Sequence, residues 1–260
     1  MVSAFYVPEG GRFVSTELTR GPWDPGFQHA GPPAALIGRA IEEATPEGWA
    51  IGRVTFEILR PVPIALLRVE VETLRPGRSV ELVGASLRDE AGEELIRARA
   101  WRLAERPVEI PAGLPQGAAG VAGPGEGVER RFFETGQAVG YHTAMEYRFV
   151  AGSFRDPGPA TVWMRMRHPL VAGEAPSPLQ RLLTAADTGN GASATLDLAR
   201  YLFINVDLSV HLHRLPIGEW ICLDAVTIPQ PNGLGLADSA LHDERGPVGR
   251  ALQTLLIRER

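Results

Sequence analysis

The chain has 260 residues, 44% of them hydrophobic, with 26 basic side chains against 31 acidic ones and a net charge of −5. That balance gives no electrostatic reason to expect a nucleic acid partner, and no stretch approaches the roughly 20 apolar residues of a membrane span. The single cysteine, Cys222, excludes an internal disulfide and a cysteine-rich metal site.

The start, Met1 to Glu9, has no basic region leading into an apolar core, so no secretory signal is expected and the predicted location is cytoplasmic. Every basic residue is arginine. Arginine suits bidentate phosphate binding, but codon bias explains the pattern equally well, so it decides nothing. Cys222, within Trp220-Ile-Cys-Leu, reads as a small core hydrophobe.

In chain order, Phe5-Tyr-Val and Arg12-Phe-Val-Ser-Thr are short strands on either side of the turn-rich Pro-Glu-Gly-Gly. The Gly- and Pro-dense loop from Arg20 to Pro33 leads into a helix over 31–44, with a proline in its first turn. Strands follow at 52–60, 67–75, 80–88 and 94–103. The alternation Arg68-Val-Glu-Val-Glu72 shows that one face of this meander is wet.

From 105 to 129 periodicity fades into Pro, Gly, Ala and Glu, which reads as a link. Strands at 141–149 and 160–167, a helix over 177–193, and strands at 202–214, 219–227, 234–242 and 248–257 complete the chain.

The second part repeats the first. A shift of 154 places Arg60 on Arg214, Thr73 on Thr227, Leu82 on Leu236, Leu87 on Leu241, Asp89 on Asp243, Glu90 on Glu244 and Gly92 on Gly246 without a gap. Dropping one turn residue then sets Arg97-Ala98 on Arg250-Ala251. Internal similarity of this kind overrides a domain count from length. The order strand, strand, helix, then antiparallel strands predicts an α+β double hotdog: two tandem units, each a long central helix wrapped by a curved antiparallel sheet. The units are read as 1–106 and 131–260, joined by a linker at 107–130. A pair of unrelated α+β domains would leave the shift unexplained.

Ser177 to Ser193 concentrates the chemistry. Ser177 is an N-cap, Pro178 takes the first helical position, and Leu179, Leu182, Leu183 and Ala186 recur at helical spacing. Asp187 then falls at the edge of the apolar face, where an ionised group is costly unless paired or used. Two readings stay open: a carboxylate bonded to Thr188, Asn190 or nearby amides at the helix end, or a working acid.

The Ala185-Ala-Asp187 segment, the run from Phe203 through Asn205 to His213-Arg214 with Pro216, and the last strand with Gln253 resemble the type II acyl-CoA thioesterases of the double-hotdog superfamily. The resemblance covers most of the chain. In that family an aspartate on the second helix, a Thr or Ser on the next strand and a glutamine on the final strand hold a water against the thioester carbonyl. It implies catalytic roles for Asp187, Asn205 and Gln253, with Asn205 departing from the family's hydroxyl residue. Asparagine still donates and accepts hydrogen bonds. The family's carbonyl donor, a backbone amide at a glycine-rich helix start, falls on Gly31, since Pro32 and Pro33 have no N–H.

Chemically, thioester hydrolysis needs a nucleophile, a proton acceptor and donors aimed at the carbonyl oxygen. The expected activity is hydrolysis of an acyl-CoA substrate to free acid and CoA in lipid metabolism, with Asp187 as base and no metal or organic cofactor. Assembly into homo-oligomers is left open. The alternative is a weak or inactive acyl-thioester-binding or scaffold protein with Asn205 marking a degenerate site.

His211 and His213 alternate on one strand and His142 and His168 lie elsewhere, which falls short of a metal set. No Gly-x-Ser-x-Gly elbow exists. No histidine follows Asp187 closely, which argues against a hydratase of this fold. Trp101, Trp163 and Trp220 read as core or acyl-tunnel lining.

Overall fold

The structure, a computed structural model, describes residues 4–114 and 120–260. Residues 1–3 of the chain start and 115–119 of the expected linker lie outside the described residues. A hairpin of β1 (Tyr6–Glu9) and β2 (Arg12–Ser15) turns at Gly10 and Gly11, both at positive φ. It is followed by α1 (Gly31–Glu43) and the meander β3 (Trp49–Ile58), β4 (Leu66–Arg75), β5 (Val80–Arg88) and β6 (Glu94–Ala104). The rest runs β7 (Val128–Glu129), α2 (Tyr141–Ala144), β8 (Met145–Ala151), β9 (Ala160–Met166), α3 (Pro178–Ala186) and α4 (Gly189–Ala192). β10 (Tyr201–Asn205), β11 (Asp207–Leu212), β12 (Ile221–Pro229), β13 (Leu234–Asp243) and β14 (Gly246–Glu259) close the chain.

Among the described residues fourteen strands join one sheet, in the order β1-β2-β4-β5-β6-β3-β11-β14-β13-β12-β9-β8-β7, with β10 beside β14. Its neighbours are antiparallel throughout. The seam between the earlier and later strands is the β3–β11 ladder. There Thr55 stands opposite Ser209, and their hydroxyls meet at 2.9 Å. These two residues are 154 apart, the same shift that aligns the two parts of the sequence. An antiparallel pair in which a residue faces its own repeat equivalent is what a twofold axis through the seam produces.

α1 and α3 lie side by side and antiparallel, α1 against β3, β4 and β5, α3 against β9 and β12. Leu36, Ile37, Ile41, Leu179, Leu182 and Leu183 are fully buried between them and the sheet. Gly38 permits the close approach, since a Cβ there would run into Leu183 Cδ1. At one end of the pair, the Ser177 hydroxyl caps α3 by accepting from Gln180 N–H at 3.1 Å and donates to the half-buried Glu42 carboxylate. Gln180 Nε2 reaches the same carboxylate at 3.4 Å. The start of α1 meets the end of α3 at the other end.

Three expected elements differ. The helix read over 177–193 is nine residues of α3, a break at Asp187-Thr188, then the single turn α4, so the second helix is not long. The break is stabilised by Gln253, whose amide donates to Asp187 O at 3.1 Å and accepts from Asn190 N–H at 3.0 Å. The strand read over 202–214 is divided at Val206, where Asp207 accepts from Thr254 N–H at 2.6 Å and the chain passes from β10 to β11. The strand read from Tyr141 starts instead with the turn α2, because Thr143 accepts from Gly140 N–H at 3.1 Å and closes it.

Candidate active site

α3 ends at Asp187 as its C-cap residue, 5% exposed, and the start of α1 lies against it. Asp187 Oδ1 accepts from Asn205 Nδ2 at 2.8 Å and from Gln253 Nε2 at 3.0 Å. The bend at Val206 brings Asn205 there, and Asn205 Nδ2 also donates to Asp207 O at 3.1 Å. The backbone amides of Ala30 and Gly31 also favour the ionised carboxylate. Burial outweighs all of these bonds and pushes the Asp187 carboxyl up from 3.8 to about 7. A buried acid poised near neutrality, whose two side-chain donors fix its orientation, is suited to proton transfer at pH 7.

Asp187 Oδ2 faces His29 Nδ1 at 3.3 Å. This is not an ion pair at neutral pH, because burial lowers His29 to about 3 and disfavours the imidazolium. Gly31 N–H donates to the same Nδ1 at 3.1 Å. The imidazole stacks on Tyr141 with centroids 3.8 Å apart and planes 9° from parallel. Tyr141 is itself fixed by its hydroxyl, 2.7 Å from Thr184 O and 2.9 Å from Thr188 Oγ1.

A cavity of about 400 Å3 opens over the pair, lined on its polar side by His29, Ala30, Asp187, Thr188, Asn190 and Asn205. Its other wall is apolar: Trp23, Phe27, Phe132, Phe133 and Phe154. Trp23 stacks on Phe133 at 5.8 Å and Phe132 packs on Phe154 at 4.4 Å, so that wall is cross-braced. An apolar pocket with a few convergent polar groups is the usual form of a small-molecule site.

Asp187, Asn205 and Gln253 thus meet on one carboxylate oxygen. Gly31 lies beside them but is not on the cavity wall, and its N–H is engaged with His29. Trp163 and Trp220 pack with Cys222 in a separate cluster, while the cavity's tryptophan is Trp23. The buried Cys222 thiol is pushed well up by desolvation, which makes it inert. His211 is exposed and His213 Nε2 lies 3.0 Å from Pro247 O. Among the described residues no three metal-ligating side chains converge. Sequence reasoning missed His29 and Tyr141. The available signal was a titratable ring two residues before the only N–H-bearing position of the helix start.

The acyl-CoA thioesterase C-terminal domain family matches residues 118–257, more than half of the chain, and the acyl-CoA thioesterase N-terminal domain family matches 19–103. The chain belongs to the acyl-CoA thioesterase family and is a thioester hydrolase. No curated protein sequence matches it significantly.

Among solved structures, a protein assigned as a thioesterase II from Thermobifida fusca YX has a TM-score of 0.73 at 18% identity, over 98% of this chain and 96% of its own. A hot dog fold protein from Alicyclobacillus acidocaldarius gives 0.72 at 16% identity, over 98% and 95%. The acyl-CoA thioesterase II of Mycobacterium marinum gives 0.67 at 17% identity, over 97% and 94%. At these identities the likeness shows the hotdog fold. Among the described residues no helix is long and apolar enough to cross a membrane.

Proposed function

We propose that the protein hydrolyses an acyl-CoA to the free acid and CoA, with the apolar acyl group against the Trp23 and phenylalanine wall and the thioester over Asp187. The observation that carries this reading is the convergence of Asn205 and Gln253 on one oxygen of a buried carboxyl at the floor of that cavity. Asp187 takes the proton of an attacking water; Gln253, its amide engaged with Asp187 and Asn190, holds the carboxylate, and Asn205 on the cavity wall holds both the carboxylate and the water in line. No covalent enzyme intermediate is needed. Gly31 N–H is the proposed donor to the carbonyl oxygen, which requires it to exchange His29 Nδ1 for that oxygen.

The architecture proposed with it is a double hotdog of units 1–106 and 131–260 joined through 107–130. Two family domains in tandem and the meeting of repeat equivalents Thr55 and Ser209 support it. The substrate chemistry belongs to lipid metabolism in the cytoplasm.

Thiol release from a panel of acyl-CoAs tests the reading. Turnover by the wild type that is lost in Asp187→Ala supports it. Acyl-CoA binding without turnover in either protein would instead make this an acyl-thioester-binding scaffold.

A further inference from the structure

The reaction leaves one proton unaccounted for. Attack of water puts a proton on Asp187, while departure of the thiol leaves a thiolate that needs one. Asp187 cannot serve both ends of the bond directly, since Oδ1 is held by Asn205 and Gln253 and Oδ2 is turned to His29.

The imidazole is set up to connect the two. In the substrate-free site Gly31 N–H donates to Nδ1, so Nδ1 carries the lone pair and the ring hydrogen sits on Nε2; passage of that N–H to the thioester carbonyl then frees the lone pair. Nδ1 is then a ready acceptor for a proton on Asp187 Oδ2, 3.3 Å away. Nε2 has no protein partner among the described residues, and His29 lines the cavity in which the thioester must lie. Stacking on Tyr141, whose hydroxyl is bonded to Thr184 and Thr188, holds the ring in this orientation.

The geometry points to His29 as the general acid of the reaction, a second catalytic residue that relays the proton from Asp187 to the leaving sulfur. This rests on the reading of Asp187 as the base. In the first step the water oxygen bonds to the thioester carbon and its proton passes to Asp187. In the second the carbon–sulfur bond breaks, its electron pair goes to sulfur, and sulfur takes the proton from Nε2. At the same time Nδ1 receives the proton from Asp187 Oδ2. The products are the carboxylic acid and the thiol, with Asp187 ionised again and the imidazole left in its other tautomer. The product acid gives its proton to Nε2 while Nδ1 returns its own to Asp187 Oδ2, 3.3 Å away, which releases it to solvent water as the products leave, so that the Nε2–H form and the ionised base are both restored. Burial disfavours the imidazolium, so the ring passes the proton in at one nitrogen and out at the other without storing it.

The test varies the leaving group. His29→Gln and wild type are compared on one acyl group carried as an acyl-CoA, whose alkyl thiolate is a poor leaving group, and as the thioester of 4-nitrothiophenol, whose thiolate departs without a proton. The relay predicts that the variant loses roughly 100- to 10,000-fold in kcat on the acyl-CoA and less than about tenfold on the aryl thioester. His29→Ala, which opens a space beside Tyr141, should regain acyl-CoA turnover with added imidazole. An equal loss on both thioesters together with no imidazole rescue would mean that the ring only shapes the site, and would overturn the proposal, as would an undiminished rate on the acyl-CoA. Asp187→Asn separates this from the reading beneath it. That variant is expected to be inactive on both substrates, and if it turns over both, the base assignment fails and takes the relay with it.

Discussion

At the scale of single residues, Asp187 is held in conflict between solvation and hydrogen bonding. Four donors favour its charge, yet burial prevails and raises the carboxyl to about 7. In its proposed role as base Asp187 works only when ionised, so the rate should fall about tenfold for each pH unit below about 7 and level off above, read from kcat/KM against pH. The same shift bears on stability. A carboxyl whose folded value is raised binds its proton more tightly when folded, so its contribution is present below about 3.8 and is lost as pH rises to about 7. Asp187→Asn fits the site, its oxygen accepting from Asn205 and Gln253 and its amide donating to His29 Nδ1. The variant should therefore be inactive yet gain stability over wild type by up to roughly 1.4 kcal/mol for each pH unit in that window, measured by urea denaturation at several pH values. Asp187 was conspicuous in the sequence because it ends an apolar helical face. His29 was not, since nothing local marks a histidine in a Gly- and Pro-rich loop as largely covered; Tyr141 and Asp187, both more than 100 residues later, pack against it.

At the scale of elements, the site exists because a helix stops where it could have continued. The spacing of Leu179, Leu182, Leu183 and Ala186 forecast the helix well, but its break depends on Gln253, 66 residues beyond Asp187, and no local pattern carries that. Gln253→Ala should cost ~1–3 kcal/mol, because it strands the Asn190 N–H and the Asp187 carbonyl in a buried setting. The loss would appear as a lower Tm in addition to lost turnover. The two glycines of α1 make a sharper comparison. A Cβ on Gly31 would meet the Thr184 carbonyl oxygen, which is backbone and cannot yield without moving α3, so Gly31→Ala should cost ~1–3 kcal/mol. Gly38 faces only the tip of Leu183, and the gain in helix propensity offsets the crowding, so Gly38→Ala should stay within about 1 kcal/mol of wild type. Thermal melts of the pair check this.

At the scale of the whole molecule, the proposed active centre draws on distant stretches of the chain: His29 and Gly31 precede residue 107, whereas Asp187, Asn205 and Gln253 follow residue 130. The earlier and later strands meet in the β3–β11 ladder and the two helices in the α1–α3 contact, while 107–113 is exposed. Cleavage within 107–113 should leave an associated pair of fragments with activity near that of the intact chain, seen as co-elution in gel filtration under native conditions and thiol release by the co-eluting pair. The repeat that pointed to this arrangement was legible because strand phase and turn residues survive divergence, whereas the helix ends have drifted apart. Strand positions equivalent to Asn205 and Gln253 are Ile51 and Ala100, neither able to orient a carboxylate, and Glu42 at the far end of the helix pair is bound to Ser177 and Gln180. A dimer of identical subunits must carry the same side chains at both of the sites that its twofold axis relates. A single polypeptide is released from that obligation, so one pole could become a permanent clasp while the other kept its vacancy for ligand, and titration with a tight-binding substrate analogue should saturate at one equivalent per chain.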